Sequence, residues 1–120
     1  MYDHVGIRVK DLAKAARLYE AMLAPLGHVA GARGDGYAGF GPKDGPCFWL
    51  HEKTRNQAAG CHVALRAQTR EAVDRFHAAA LAAGAKDNGA PGLRVDYVPS
   101  YYAAFVLDAD GNNIEAVCLA

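Results

Sequence analysis

The sequence predicts an α+β fold built from two copies of a βαβββ unit. Two observations carry this. His4-Val5-Gly6-Ile7-Arg8-Val9 returns later in the chain as His62-Val63-Ala64-Leu65-Arg66-Ala67, with His, Val and Arg in register. Each copy is followed by apolar residues at helical spacing and then by short runs broken by Gly, Asp and Pro. The correspondence continues down the chain. Arg17, Leu18, Tyr19, Ala21 and Leu23 fall on Arg75, Phe76, His77, Ala79 and Leu81. Tyr37-Ala38-Gly39-Phe40 falls on Tyr102-Ala103-Ala104-Phe105, and Asp44-Gly45 on Asp110-Gly111.

The elements follow in order. Residues 2–9 alternate, with Val5, Ile7 and Val9 on one side and Tyr2, His4 and Arg8 on the other, as in a half-buried strand. Asp11 is placed to cap a helix whose apolar positions are Leu12, Ala15, Ala16, Tyr19, Met22, Leu23 and Leu26, and Pro25 and Gly27 end it. Short strands are expected over roughly 28–33, 36–41 and 46–52. The polar stretch Lys53 to Gly60 joins module one (about 1–56) to module two (about 57–120) within a single domain spanning 1–120. The second module reads as a strand at 61–66 and a helix at 69–83, with Thr69 near its start and Gly84 at a left-handed stop. Residues 85–99 lack a pattern and read as an irregular connection. Strands at 100–107 and 112–119 flank the turn Asp108-Ala109-Asp110-Gly111, which lacks the ligands of a calcium loop.

Composition narrows the function. The chain has 120 residues, 13 basic and 13 acidic side chains and no net charge. It therefore lacks the basic field that nucleic-acid or anionic-membrane binding needs. No stretch approaches the length of a membrane helix. The first residues carry no secretory pattern, so the expected location is cytoplasmic. Three cysteines, Cys47, Cys61 and Cys118, show no paired spacing, which argues against a disulfide framework and a zinc knuckle and for small buried apolar roles. Much of the 52% apolar content is alanine, so the core is modest and a partner subunit would add to it.

The strand alternation sets up a site. Helices must cover the Val5/Ile7/Val9 face and its equivalent, so His4, Arg8, His62 and Arg66 point to the opposite face. On the last strand Ile114, Ala116 and Cys118 take one face and Glu115 and Val117 the other. His4, His62 and Glu115 can then share the helix-free face. Two imidazoles and a carboxylate suit a divalent metal such as Zn, Ni, Fe, Mn or Co and leave positions open for substrate. Arg8 and Arg66 are candidates to grip a substrate carboxylate bidentately. Trp49 offers an indole for stacking on planar rings. Tyr97, Tyr101 and Tyr102 cluster near the Gly- and Pro-rich segment 89–99, a loop placed to cover a pocket mouth.

His4-Val5-Gly6-Ile7-Arg8-Val9 with Asp11-Leu12, His62-Val63-Ala64-Leu65, and the hairpin from Phe105 through Asp108-Ala109-Asp110-Gly111 to Ile114-Glu115 together resemble the vicinal oxygen chelate superfamily. That superfamily holds glyoxalase I, extradiol dioxygenases, fosfomycin-resistance transferases, methylmalonyl-CoA epimerase and bleomycin-binding proteins. The resemblance covers essentially the whole chain. It implies paired βαβββ modules forming a curved mixed sheet that cups a metal, with helices on the convex face. It also implies a homodimer whose modules complete each other's sites. By position, His4, His62 and Glu115 become the metal ligands, and Glu115 a catalytic group as well. One departure stands out. Where glyoxalase I members carry a fourth ligand, a Glu that also moves the proton, this chain has Trp49. His51 lies on the same face two residues along and is the candidate substitute ligand or base. The expected activity is glyoxalase-like metal-dependent lyase or isomerase chemistry on a small substrate chelated through neighbouring oxygens. The alternatives are a small extradiol-type dioxygenase and a non-catalytic drug- or metabolite-binding protein of the bleomycin-resistance type.

Overall fold

The computed structural model describes residues 3–53 and 60–120. Two modules repeat one order of elements. In the first, β1 (Val5–Val9) leads into α1 (Leu12–Leu23), then β2 (Val29–Gly34), β3 (Tyr37–Gly41) and β4 (Phe48–Glu52). In the second, β5 (His62–Arg66) leads into α2 (Arg70–Ala82), then β6 (Lys86–Leu93), β7 (Tyr102–Leu107) and β8 (Asn113–Cys118). The sheets have matching orders, β1-β4-β3-β2 and β5-β8-β7-β6, and are not hydrogen-bonded to each other. In each, the first strand runs parallel to the last and the other neighbours are antiparallel.

Local chemistry explains the helix ends. The Asp11 carboxylate accepts the Lys14 N–H at 3.0 Å, and the Thr69 hydroxyl accepts the Ala72 N–H at 3.1 Å. Both side chains satisfy an amide that the first helical turn leaves free. Pro25 shortens α1 into a single 3-10 turn over Ala24–Leu26, and Gly27 closes it with a left-handed backbone. Of the expected joint, Lys53 to Gly60, residues 54–59 lie outside the described residues.

The core lies between helices and sheets. Tyr19, Met22 and Leu23 of α1 and Phe76 of α2 are fully buried, beside Leu50 and Ile114 from the strands. Tyr19 stacks on Phe48 at 5.5 Å. Cys118 is buried and Cys47 and Cys61 are half-buried, all as free thiols. The buried role expected for all three therefore holds fully for Cys118 alone. No helix among the described residues is long and apolar enough to cross a membrane.

The segment expected to be irregular, 85–99, contains a strand. β6 pairs with β7 but shifts register twice, between Asp87 and Gly89 and between Gly89 and Gly92. Bulges and Pro91 destroy the alternation that would have announced it. Gly89 sits at φ +148, and a Cβ there would come within 2.9 Å of the Phe105 ring.

A buried polar knot ties the modules together. The Asp108 carboxylate in the β7–β8 turn accepts the amides of Asp110 and Asn112, the Asn112 side-chain amide and the Tyr19 hydroxyl. The Asn112 side-chain oxygen in turn accepts the Gly60 and Cys61 amides. Tyr19 belongs to the first module and Asp108 to the second, so this bond crosses between them.

Candidate metal centre

The candidate residues are divided between the two sheets. On the second sheet, Glu115 pairs across β8 with Ala64 of β5 and Phe105 of β7. Neighbours on one face of a sheet bring His62, Phe105 and Glu115 together. Glu115 is 2% exposed, while His62 is exposed. His62 Nε2 stands 3.2 Å from Glu115 Oε2. The ring is fixed by two further contacts, Nδ1 at 3.0 Å from the Asn113 carbonyl oxygen and a stacked Phe105 at 6.4 Å. Arg94 lies over the Phe105 ring at 5.4 Å and donates to the Ala90 and Gly92 carbonyls of bulged β6.

The donor set is informative. A carbonyl oxygen only accepts, so His62 Nδ1 carries the ring proton. Nε2 then meets Oε2 as an N–H donor when the ring is protonated, and through its lone pair when a cation sits between the two atoms. The second arrangement is that of two ligands of one ion. Donors bound to one metal ion at about 2.0–2.2 Å stand about 3 Å apart, which the 3.2 Å separation matches. The buried carboxylate and the imidazole held beside it by Asn113 and Phe105 therefore fit one edge of a divalent-ion site. Glu115 has its other oxygen occupied, since the Tyr101 hydroxyl donates to Oε1. Burial and that bond push the Tyr101 phenol up to about 12.

His4 is not part of this group within one chain. It precedes β1 on the first sheet, with Nδ1 2.6 Å from the neighbouring Asp3 carboxylate. Among the described residues no three His, Cys, Asp or Glu side chains stand close enough to hold one ion. The helix-free face shared by His4, His62 and Glu115 does not form inside the monomer, because the two sheets do not join edge to edge.

The first sheet carries a different set. Trp49 pairs with Gly6 of β1 and Gly39 of β3. This is the position that Glu115 occupies between Ala64 and Phe105, so the repeat holds with Trp49 in the ligand's place. The indole lies so close over Gly39 that a Cβ there would meet it at 2.6 Å. Tyr37 flanks it at 6.1 Å. His51 pairs with Arg8 across the strands, and its ring edges the space over Gly6 at 3.2 Å from where a Cβ would stand. Gly6, Arg8, His51 and Glu52 line an open hollow.

Two expectations need correction. Tyr102 does not face the site. Its hydroxyl donates to Asp74 of α2 at 2.7 Å and Arg70 lies over its ring at 5.2 Å, so it packs against the helix. Alternation along β7 puts Phe105 on the helix-free face and Tyr102 on the face covered by α2. The alignment of Tyr37–Phe40 on Tyr102–Phe105 is also one residue out. Sheet pairing equates Gly39 with Phe105, so Phe40 turns to the helices beside Tyr19 while Phe105 turns to His62. A slip of one residue exchanges the faces of a strand.

Arg8 and Arg66 are exposed, and neither meets a carboxylate among the described residues, where the close charge pairs all involve histidines. The sequence reading missed Phe105 as a brace for His62 and Arg94 as a brace for β6. Alternation along β7 could have placed Phe105, but nothing local marks Arg94.

Comparison with known proteins identifies the family and the fold. The sequence matches the family model of the Glyoxalase/Bleomycin resistance protein/Dioxygenase superfamily over residues 2–116. A glyoxalase/bleomycin resistance protein from Albidiferax ferrireducens T118 is 31% identical, with 98% of each chain covered and a TM-score of 0.86. A glyoxalase/bleomycin resistance protein/dioxygenase family enzyme from Burkholderia phytofirmans PsJN is 20% identical, with 98% of each chain covered and a TM-score of 0.73. The fosfomycin resistance protein FosX from Mesorhizobium loti shares the fold at 15% identity, with 98% of this chain and 91% of that chain covered and a TM-score of 0.70. A search of curated protein sequences finds no significant match. With duplicated βαβββ modules and a match along nearly its whole length, the chain belongs to the Glyoxalase/Bleomycin resistance protein/Dioxygenase superfamily.

Proposed function

We propose that the chain is a divalent-metal-dependent, glyoxalase-like enzyme that acts as a homodimer on a small, oxygen-rich substrate. The observation that carries this reading is His62 Nε2 facing the buried Glu115 carboxylate at 3.2 Å. The third ligand in this reading is His4 of the partner subunit, brought in by two-fold symmetry. An ion held there, among Zn, Ni, Fe, Mn and Co, would act as a Lewis acid toward two neighbouring substrate oxygens.

The chain's own residues supply the rest. Arg8 and Arg66, free of acidic partners among the described residues, bind a carboxylate of the substrate by paired N–H donors. His51, exposed beside Arg8, is the group available to take a proton from a carbon next to a carbonyl. It replaces the missing carboxylate at the Trp49 position. Trp49 shapes the cup and excludes water from that side. Lyase or isomerase chemistry follows from a base and a bound carboxylate. Ring-opening dioxygenation is the alternative that an iron- or manganese-loaded protein would favour.

Elemental analysis of untagged protein, with His62→Ala beside it, tests the reading. About one transition metal per chain, lost in the variant, supports it. No metal bound, and none taken up from solutions of each ion, overturns it. The second reading is a binding protein without chemistry, and Trp49 lying over Gly39 beside Tyr37 favours it as a stacking platform. Quenching of Trp49 fluorescence by planar ligands, in protein that takes up no metal, would select that reading.

A further inference from the structure

The two modules differ most at the connection between their second and third strands, and the difference serves Glu115. In the first module β2 and β3 are joined through Asp35-Gly36 alone. In the second, residues 94–101 separate β6 from β7. This longer segment has little core of its own, since Val95, Tyr97 and Val98 are all exposed. It is nevertheless ordered by its backbone. The Arg94 amide donates to the Tyr101 carbonyl at 2.7 Å, the Tyr97 amide to the Arg94 carbonyl at 2.9 Å, and the Tyr101 amide to the Val98 carbonyl at 3.1 Å. The Tyr97 ring meets the Tyr101 ring edge-on at 4.9 Å. The ordered turn delivers one polar atom inward, the Tyr101 hydroxyl, onto Oε1 of Glu115. The first module has Trp49 at the equivalent position, which needs no such partner.

We propose that Tyr101 is a positioning residue of the metal centre, holding Glu115 Oε1 so that Oε2 alone is presented beside His62 Nε2. The inference rests on the metal-centre reading above. A carboxylate with both oxygens free can turn or bind an ion with both. With Oε1 engaged, rotation about the last side-chain bond is blocked and binding is limited to one oxygen. Partners of this kind typically change metal affinity ten- to a hundredfold. Tyr102, one residue on, makes its bond to α2 and has no part in this.

The test is titration of the full-length protein with cobalt(II), followed by its visible absorption, and zinc competition for affinity. Tyr101→Phe keeps the ring and its contact with Tyr97 but removes the donor. It is expected to bind at least tenfold more weakly, with an altered cobalt spectrum as Glu115 becomes free to use both oxygens. A purely structural tyrosine would lower thermal stability and leave the spectrum alone. Affinity within twofold of the parent and an unchanged spectrum, while Glu115→Gln loses the ion, would overturn the role of Tyr101 and leave the metal centre standing. A parent that binds neither ion overturns both. If Tyr101→Phe does not fold, Tyr97→Ala decides. Its exposed ring carries no core, and a two- to fivefold weaker affinity supports the proposal while an unchanged one overturns it.

Discussion

Gly39→Ala is the sharpest probe of the first sheet. An added methyl would stand 2.6, 2.8 and 2.9 Å from three carbons of the Trp49 ring. Carbon atoms in ordinary contact are about 3.5–4.0 Å apart, so the indole has to shift by about 1 Å. Overpacking of this kind costs about 1–3 kcal/mol. Replacing glycine within a strand returns about 0.5–1 kcal/mol by reducing the freedom of the unfolded chain. The net expectation is a loss of about 0–2.5 kcal/mol, which lowers Tm by up to roughly 10 °C in a domain of this size. The sequence holds a single tryptophan, so intrinsic fluorescence reports Trp49 alone. Its emission should move to longer wavelength and be quenched more readily by acrylamide. The double variant with Trp49→Ala should show the Gly39 penalty removed, because the clash then has no second partner. A Tm equal to or above the parent's, with unchanged emission and quenching, would refute the placement of the indole over Gly39.

Further predictions concern the knot, the outer tyrosine and the arginines. Tyr19→Phe removes one of the four donors on Asp108 and should cost about 1–2 kcal/mol, read as a lower urea midpoint at constant m-value. Burial first, and then Asp108, hold the Tyr19 phenol far above its ordinary value. The folded state therefore keeps this proton more tightly than the unfolded chain, and that stability is full below about pH 10 and lost as pH rises beyond it. The stability difference between parent and Tyr19→Phe should shrink above about pH 10, and a constant difference up to pH 11.5 would contradict this. Tyr102→Phe, which loses an exposed bond to Asp74, should cost less than about 1 kcal/mol and leave metal affinity within twofold. Arg66→Ala should weaken binding of small carboxylate inhibitors about tenfold in calorimetry with metal content unchanged, and equal affinity would remove it from the substrate site.

Much of the fold was legible because the code there is local. Alternation along β1 and β5 fixed which residues face the helices, and Asp11, Thr69 and Gly84 marked helix ends through bonds to their own neighbours. β6 was illegible because its bulges and Pro91 erase the period-two signal, and only pairing with β7 reveals it. The one-residue error at Tyr102–Phe105 has the same origin. Identity matching favoured a Tyr-Ala repeat, whereas the sheet register is set by β8 across the ladder.

The candidate site divides in the same way. The amino-acid order was enough to give the duplication, the side chains available to each module and a face on which His62 and Glu115 can meet. All three follow from residue type and strand period. His4 standing apart within one chain, Tyr102 turning to α2 and Tyr101 reaching Glu115 from outside the strand all come from tertiary packing. The first depends on how two separate sheets are set by helix packing and by the Tyr19–Asp108–Asn112 knot, and the other two on how β7 and the turn before it pack on α2 and β8. No local pattern encodes such an arrangement, because its energy comes from contacts between residues far apart in the chain.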